Sequence, residues 1–173
     1  MKARRRVVSG LCLLTAMALA GYARFFWARA HAPTPGSIAR LGKVLPPLLV
    51  ADASGGLVDV GKASLGSKSI IAFYSASCHV CQVVLPELQP FPSTLRLLLV
   101  NEETGNSSQP PYGFEKALQF HDLNHVLSRS FPMSGIPTIL FVDEQGVLRD
   151  GMVGEHARGL VQEKLREFAG KRP

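Results

Sequence analysis

The chain has 173 residues, of which 46% are hydrophobic and 8% are aromatic, so it is long enough for one globular domain and a targeting segment. Its formal net charge of +6 lies in residues 1–30, which contain six basic residues and no acidic one. The rest of the chain contains 13 basic and 13 acidic residues. Because that part carries no net charge, the composition argues against nucleic acid as a partner.

Residues 1–30 have the pattern of an export signal. A basic stretch, MKARRR, precedes an uncharged and largely apolar run that ends in several aromatic residues. Ala18 and Ala20 fit the cleavage site of a signal peptide, whereas the aromatic residues favour an uncleaved signal anchor at the membrane surface. We expect a single-pass anchor in the bacterial inner membrane with the C-terminal domain in the periplasm, or a soluble periplasmic protein if the leader is cleaved.

Residues 31–43, HAPTPGSIARLGK, are rich in proline, glycine and small residues and predict a linker. The domain is expected to cover residues 44–173. Its first elements are two short strands, residues 48–51 and 57–60, joined by the turn sequence DASGG. This pattern predicts a β-hairpin.

The remaining elements alternate between strand and helix patterns. Residues 61–67 predict a single helical turn or a loop, and Pro86 should kink the helix in which it stands. The other predicted elements are a strand at 69–74, a helix at 78–91, a strand at 94–100, a loop at 101–111, a short helix at 112–118, an extended pair at 119–120, a helix at 123–131, strands at 139–142 and 147–153, and a helix at 156–168. This order predicts an α/β fold with a central mixed sheet flanked by helices.

Two cysteines, Cys78 and Cys81, stand at the start of the predicted helix 78–91. The free N–H groups and the positive dipole end of a helix favour a thiolate over a thiol there. The third cysteine, Cys12, belongs to the leader, so the chain lacks the several bridges of a disulfide scaffold. The pair is therefore redox-active or half of a metal site, and His121 and His125 could supply two further ligands.

The turn Gly135-Ile136-Pro137-Thr138 precedes the predicted strand 139–142. A proline at this position has two interpretations. The peptide bond before it is cis, as at tight turns that precede a buried strand, or it is an ordinary turn proline at the first residue of a strand.

The chain resembles the thioredoxin superfamily in three segments: FYSASCHVCQVVLPEL, SGIPTILFVDEQG, and MVG before the last predicted helix. The hairpin and the leader narrow the resemblance to membrane-tethered TlpA/ResA-like and MauD-like proteins, over residues 46–168. The resemblance implies a thioredoxin-like fold in which the hairpin is an N-terminal extension. It also implies a thiol-disulfide oxidoreductase that needs no cofactor besides its own disulfide.

The same resemblance implies the protein's partners. They would be the thiols or disulfides of a client protein and a membrane or periplasmic thiol protein that exchanges electrons with it. The client would be a periplasmic redox protein under maturation: a cytochrome c, a copper-centre protein or an enzyme with several disulfides.

The resemblance assigns roles to the CxxC motif. Cys78 would be the attacking thiolate and Cys81 the more buried, resolving thiol. His79 and Val80 stand between them, where the dipeptide tunes the redox potential. A protonated His79 would stabilise a thiolate and make the disulfide more oxidising than that of thioredoxin.

The resemblance also assigns roles around the second motif. Pro137 would be a cis-proline packed beside the disulfide, and the backbone of Ile136 would pair with a bound substrate strand. Ser77, Gly135 and Thr138 would complete the substrate-binding surface.

Three positions depart from the pattern of the superfamily. Ala72 and Val84 stand where thioredoxin and ResA-like proteins, respectively, carry a carboxylate near the resolving cysteine. Ser77 replaces the tryptophan that usually precedes the motif. The next acid along the predicted helix, Glu87, is expected to be a solvated surface residue.

Two other classes of function remain compatible with the sequence. One is a metal-binding or metallochaperone domain that uses Cys78 and Cys81 together with a histidine. The other is a redox-inactive assembly module, which would tolerate the loss of both cysteines.

Overall fold

The computed structural model describes residues 41–103, 113–131 and 135–170. The predicted leader, residues 1–30, and residues 31–40 of the predicted linker lie outside the described residues. So do residues 104–112, which include most of the predicted loop 101–111 and the start of the predicted helix 112–118. Among the residues that are described, no helix has the length and apolar character needed to cross a membrane.

The described chain forms a seven-stranded mixed sheet with short helices. The strands are β1 (Leu49–Asp52), β2 (Leu57–Asp59), β3 (Ser69–Tyr74), β4 (Arg96–Asn101), β5 (Leu118–His121), β6 (Thr138–Val142) and β7 (Leu148–Val153). The helices are α1 (Val60–Ala63), α2 (His79–Val84), α3 (Val126–Ser130) and α4 (Leu160–Gly170), and a 3-10 helix, Leu85–Leu88, follows α2 directly.

The order of the strands across the sheet is β2-β1-β5-β4-β3-β6-β7. β3, β4 and β5 are parallel neighbours, whereas the other pairings are antiparallel. Tyr74 pairs with Asn101, and Asn101 pairs with His121, so the three parallel strands end level with one another. The predicted α/β fold with a central mixed sheet is confirmed.

β3 is buried along its whole length because side chains cover both faces of the sheet. Ile70 and Ala72 face a cluster that contains Cys81 and residues of α4. Ile71 and Phe73 face a second cluster, to which α3 contributes. Each large apolar side chain buried in this way contributes about 1.5–3 kcal/mol. The prediction of a central strand buried on both faces is confirmed.

The N-terminal hairpin is confirmed, but it is part of the main sheet. β1 pairs antiparallel with β5, with Ala51 opposite His121. β2 ends at Asp59, one residue earlier than predicted, because the side chain of Asp59 accepts a hydrogen bond from Gly61 N at 3.1 Å and starts α1. Pairing with β7 already begins at Gly42, whose N–H donates to Leu148 O, just before the predicted domain start at residue 44.

The helix predicted over residues 78–91 is wrong in its second half. The α-helix ends at Val84, the 3-10 helix Leu85–Leu88 follows, and Gln89 is extended before a cis bond to Pro90. Pro86 has no N–H, and its ring excludes the carbonyl four residues earlier. The proline therefore ends the α-helix, where a kink was predicted.

The helix predicted over residues 112–118 is also wrong in its described part, where residues 113–117 form turns. Leu118–His121 is a strand, β5, of which the sequence indicated only the extended pair 119–120. In β5 only Phe120 is buried. Such a strand has too few apolar residues for a clear pattern, and its pairing with both β4 and β1 satisfies its backbone instead.

The last two helices begin later than predicted, at Val126 and Leu160. His125 and Gly159, which precede them, have φ angles of 51° and +83°, and this left-handed conformation does not continue into a helix. Asp122 supports the start of α3: its carboxylate, 1% exposed, accepts hydrogen bonds from three backbone N–H groups, those of Asn124, Val126 and Leu127.

We predict that Asp122→Ala lowers the free energy of unfolding by about 3 kcal/mol, because it leaves three N–H groups near the core without an acceptor. Urea denaturation of the purified variant measures this. The matched control is Asp52→Ala, whose carboxylate also accepts backbone hydrogen bonds but in the exposed hairpin turn. An Asp122 variant no less stable than this control would contradict the prediction.

Candidate active site

Cys78 and Cys81 form a disulfide at the carboxyl end of β3, with their Cα atoms 5.2 Å apart. Residues 75–77 form the turn that leaves β3, and Cys78 is the N-cap of α2. The backbone N–H of Cys81 donates to Cys78 Sγ at 3.1 Å. Cys81 is fully buried and Cys78 is half-buried, so a second protein can approach the sulfur of Cys78 first.

The loop before β6 lies beside this disulfide. The peptide bond between Ile136 and Pro137 is cis, which confirms the first of the two interpretations of this proline. Cys78 Sγ lies 3.8 Å from the carbonyl oxygen of Ile136. Gly154 N donates to Pro137 O at 2.8 Å, so the end of β7 fixes the loop from its other side.

The residues predicted to contact substrate differ in exposure. Ser77 and Gly135 are exposed and Ile136 is half-buried, so all three lie at the surface around Cys78. Thr138 is fully buried, and its hydroxyl donates to the carbonyl of Gly135. The Thr138 side chain therefore holds the loop from inside, and the substrate contact predicted for this residue stays a prediction.

The two residues between the cysteines also differ. His79 is exposed in the first turn of α2, whereas Val80 is half-buried and packs against the core cluster that contains Cys81. His79 is thus free to meet a partner or solvent. Val80 joins the motif to the core.

Ala72 and Val84 are both buried in the same cluster as Cys81. These are the positions where the sequence resemblance implies a carboxylate, and here they add apolar surface next to the buried sulfur. A proton that leaves Cys81 therefore has no acceptor at either position.

A carboxylate that the sequence did not indicate supports the motif from outside. Glu103, two residues beyond β4, accepts a hydrogen bond from Ser77 N at 2.8 Å and another from the hydroxyl of Ser75. Within the turn, Ser77 N also donates to Ser75 Oγ at 3.2 Å, and the two hydroxyl oxygens lie 2.9 Å apart. The sequence contained one indication of this role: Glu103 stands just beyond β4, the parallel neighbour of β3.

Glu103 and its neighbour Glu102 have opposite electrostatic environments. Hydrogen bonds from Ser75 and then from Ser77 lower the pKa of Glu103 to about 2. Burial, together with the negative charge of Asp122, raises the pKa of Glu102, and His125 opposes this shift. Glu103 is therefore ionised at neutral pH and held by the turn.

Glu87 is partly exposed, but it also has a structural contact that the sequence did not indicate. Its Oε2 accepts a hydrogen bond from Gly159 N at 3.0 Å, and its carbonyl accepts one from Gln162 Nε2 at 2.6 Å. It therefore joins the 3-10 helix to the start of α4. Nearby, burial and the charge of Lys164 lower the pKa of His156, while Glu87 acts in the opposite direction.

The predicted alternative of a metal site has no support in the described residues. Among them, no group of three or more histidine, cysteine, aspartate or glutamate side chains is arranged to hold a metal ion. His121 ends β5 and His125 precedes α3, while the two cysteine sulfurs are bonded to each other.

We predict that acid destabilises Glu103→Gln less than the parent protein. A carboxyl whose pKa is lowered by folding stabilises the protein at any pH above its pKa in the unfolded chain. This contribution is lost as the pH falls from about 4.5 towards about 2. Glu102→Gln is the matched control. In the parent, the pKa of Glu102 is raised by folding, so its protonation in acid favours the folded state. The Glu102→Gln variant lacks this gain and should lose more stability in acid than the parent. Melting temperatures between pH 6 and pH 2.5 measure both, and identical pH profiles would contradict the prediction.

No family model and no curated protein matches the chain. Solved structures do match. A protein assigned as a thiol:disulfide interchange protein DsbE from Chlorobium tepidum has a TM-score of 0.61 at 17% identity, over 75% of this chain and 98% of that one. A thiol:disulfide interchange protein from Bacteroides sp. has a TM-score of 0.59 at 16% identity, over 76% and 91%. StoA from Bacillus subtilis has a TM-score of 0.52 at 20% identity, over 72% and 97%. The chain thus has the thioredoxin-like fold that these proteins share.

Proposed function

We propose that this protein is a thiol-disulfide oxidoreductase that acts on the cysteines of other proteins. The observation that carries the proposal is the Cys78–Cys81 disulfide, with one sulfur half-buried and the other fully buried, beside the cis peptide of Pro137. The names of the similar structures agree with this activity, since they describe thiol:disulfide interchange.

The reaction needs only the two cysteines and the partner's sulfurs. In the reduced protein, the Cys78 thiolate attacks a disulfide sulfur of the client, the client's S–S bond breaks, and a client thiolate leaves. The Cys81 thiolate then attacks the Cys78 sulfur and releases the second client thiolate. Two electrons pass to the client, and the oxidised protein carries the Cys78–Cys81 disulfide; the oxidising direction is the reverse.

The surroundings of the motif support this division of roles. Cys78 has access to solvent, and the N–H of Cys81 that donates to its sulfur stabilises a thiolate there. Cys81 can meet only a sulfur that is already bonded to Cys78 because it is fully buried. Exposed Ser77 and Gly135 and half-buried Ile136 border the approach and form the proposed substrate surface.

The cellular setting is a further part of the proposal. The basic and apolar pattern of residues 1–30 suits a leader that tethers the domain to the outer face of the inner membrane. In that compartment, a client under maturation, such as a cytochrome c, a copper-centre protein or an enzyme with several disulfides, supplies the cysteines. A second thiol protein, in the membrane or the periplasm, restores the redox state of the motif.

We predict that Cys81→Ala accumulates a mixed disulfide with client proteins because Cys78 can attack but nothing resolves the product. The chain should shift in size on non-reducing gels, and the shift should disappear with a reductant. The matched controls are Cys78→Ala and the double variant, which should trap nothing. Equal trapping in all three variants, or stoichiometric zinc or copper in a reduced protein without exchange activity, would overturn the proposed function.

We predict that the reduction potential is more positive than that of thioredoxin, about −270 mV, and becomes more negative in His79→Ala. A protonated imidazole beside Cys78 favours the thiolate and hence the reduced form. Equilibration with glutathione buffers measures the potential, and Val80→Ala controls for changes within the dipeptide that remove no charge. A potential at or below that of thioredoxin, or one unchanged in His79→Ala, would contradict this prediction.

A further inference from the structure

We propose that Glu103 is a positioning residue for Cys78. Its carboxylate holds the turn of residues 75–77 in the conformation that directs the Cys78 sulfur toward the cis-proline loop. The inference rests on the proposed thiol chemistry of Cys78, and it gives a function to a residue outside both sequence motifs.

The contacts of the carboxylate close the turn. A single oxygen, Oε1, accepts from both the backbone of Ser77 and the hydroxyl of Ser75, the first and last residues of the turn. Ser75 is buried, 6% exposed, so the turn is fastened to the core at one end and to Glu103 at the other. Ser77 is exposed. Without Glu103, its N–H would keep only the longer contact with Ser75 Oγ, at 3.2 Å, so its backbone would be less restrained.

The turn determines where the Cys78 sulfur lies. Cys78 follows Ser77 directly, and its own N–H bonds only weakly to Ser75 O, at 3.3 Å. A rotation at Ser77 would therefore move Sγ relative to Cys81 N, at 3.1 Å, and Ile136 O, at 3.8 Å. A displacement of about 1 Å at a reacting atom can cost about 100-fold in rate.

Glu103 is itself held in place, as a positioning residue must be. Its backbone N–H donates to Asn101 Oδ1 at 3.0 Å, and Asn101 is 2% exposed at the end of β4. The preceding Glu102 N donates to Tyr74 O at 2.8 Å, on the neighbouring strand β3. The carboxylate thus connects the ends of two paired core strands to the turn before Cys78.

Position 77 carries a serine where the sequence resemblance implies a tryptophan, and this difference makes the contact with Glu103 important. A large aromatic side chain in that position could pack and hold the turn by itself, whereas serine buries little surface. Here hydrogen bonds to a carboxylate take that place. The neighbouring Glu102 differs, since the hydrogen bonds from Ser75 and Ser77 go to the carboxylate of Glu103.

The test measures the reactivity of Cys78 alone. In the full chain with Cys12→Ala and Cys81→Ala, Cys78 is the one remaining thiol. Its thiolate attacks a sulfur of the uncharged probe 2,2′-dithiodipyridine, the probe's S–S bond breaks, and one thiopyridone leaves. The rate of its release between pH 4 and pH 10 gives both the pKa of the thiol and the rate constant of the thiolate itself.

We expect Glu103→Ala to lower the thiolate rate constant about tenfold. Glu103→Gln should stay within about threefold of the parent because its amide oxygen can accept the same hydrogen bonds. Glu103→Gln should lower the pKa of the thiol by several tenths of a unit, since it removes a negative charge near the sulfur but keeps the turn in place. Glu102→Ala, the matched control, should leave the thiolate rate constant unchanged.

Equal thiolate rate constants in the parent and Glu103→Ala would overturn the inference, and so would a Glu103→Gln variant as slow as Glu103→Ala. If Glu103→Ala does not fold, Glu103→Asp replaces it. The shorter side chain keeps the charge but withdraws the acceptor, so the thiolate rate constant should fall, and the pKa of the thiol should not fall because Sγ moves away from Cys81 N. A normal rate in Glu103→Asp would then overturn the inference. A parent protein whose Cys78 does not react with the probe would instead count against the proposed function.

Discussion

The level ends of the three parallel strands are the constraint on which the rest of the site depends. Tyr74, Asn101 and His121 stand in register, so the segments that follow β3, β4 and β5 leave the sheet side by side. The segment after β3 carries the cysteines, the segment after β4 carries Glu103, and the segment after β5 begins with Asp122. On the other side of β3, antiparallel β6 begins opposite Phe73, which brings the cis-proline loop to the same edge.

This edge is rigid because β3 is buried on both faces. The two clusters fix the strand from opposite sides, and a close-packed core resists displacement. The chemistry is thereby confined to short segments whose bases cannot move. The turn 75–77 and the loop 135–137 extend directly from fixed strands. Glu103 holds the turn through a contact of 2.8 Å, and Cys78 Sγ, at the start of α2, lies 3.8 Å from the loop.

Polar and apolar groups are divided between the two sides of the motif. Ala72 and Val84 lie behind Cys81 in the core, so folding does not require the burial of a charged group at these positions. In front, the carboxylate of Glu103 remains partly exposed and binds the turn. A carboxylate therefore does act on the motif, but through the residue before the first cysteine, and its role is orientation.

The elements that the sequence predicted well are those whose signal is local. The apolar runs of β3, β4 and β6 are long enough to be recognised without knowledge of their partners. The missed features depend on distant contacts: β5 has one buried residue and exists through its pairing with β4 and β1. Helix starts were misplaced because left-handed residues precede α3 and α4, and the start of α4 also depends on a distant contact, that of Glu87 with Gly159.

The sequence by itself determined the CxxC pair, Cys78 and Cys81, the turn at Pro137 and the buried strands that carry them, since spacing and apolar pattern express these directly. Only the tertiary structure decided which polar groups act on the pair. Glu103 is 25 residues from Cys78 in the sequence, and Glu87 meets a helix 72 residues away. Such contacts follow from strand register and helix packing, which no local period in the sequence records.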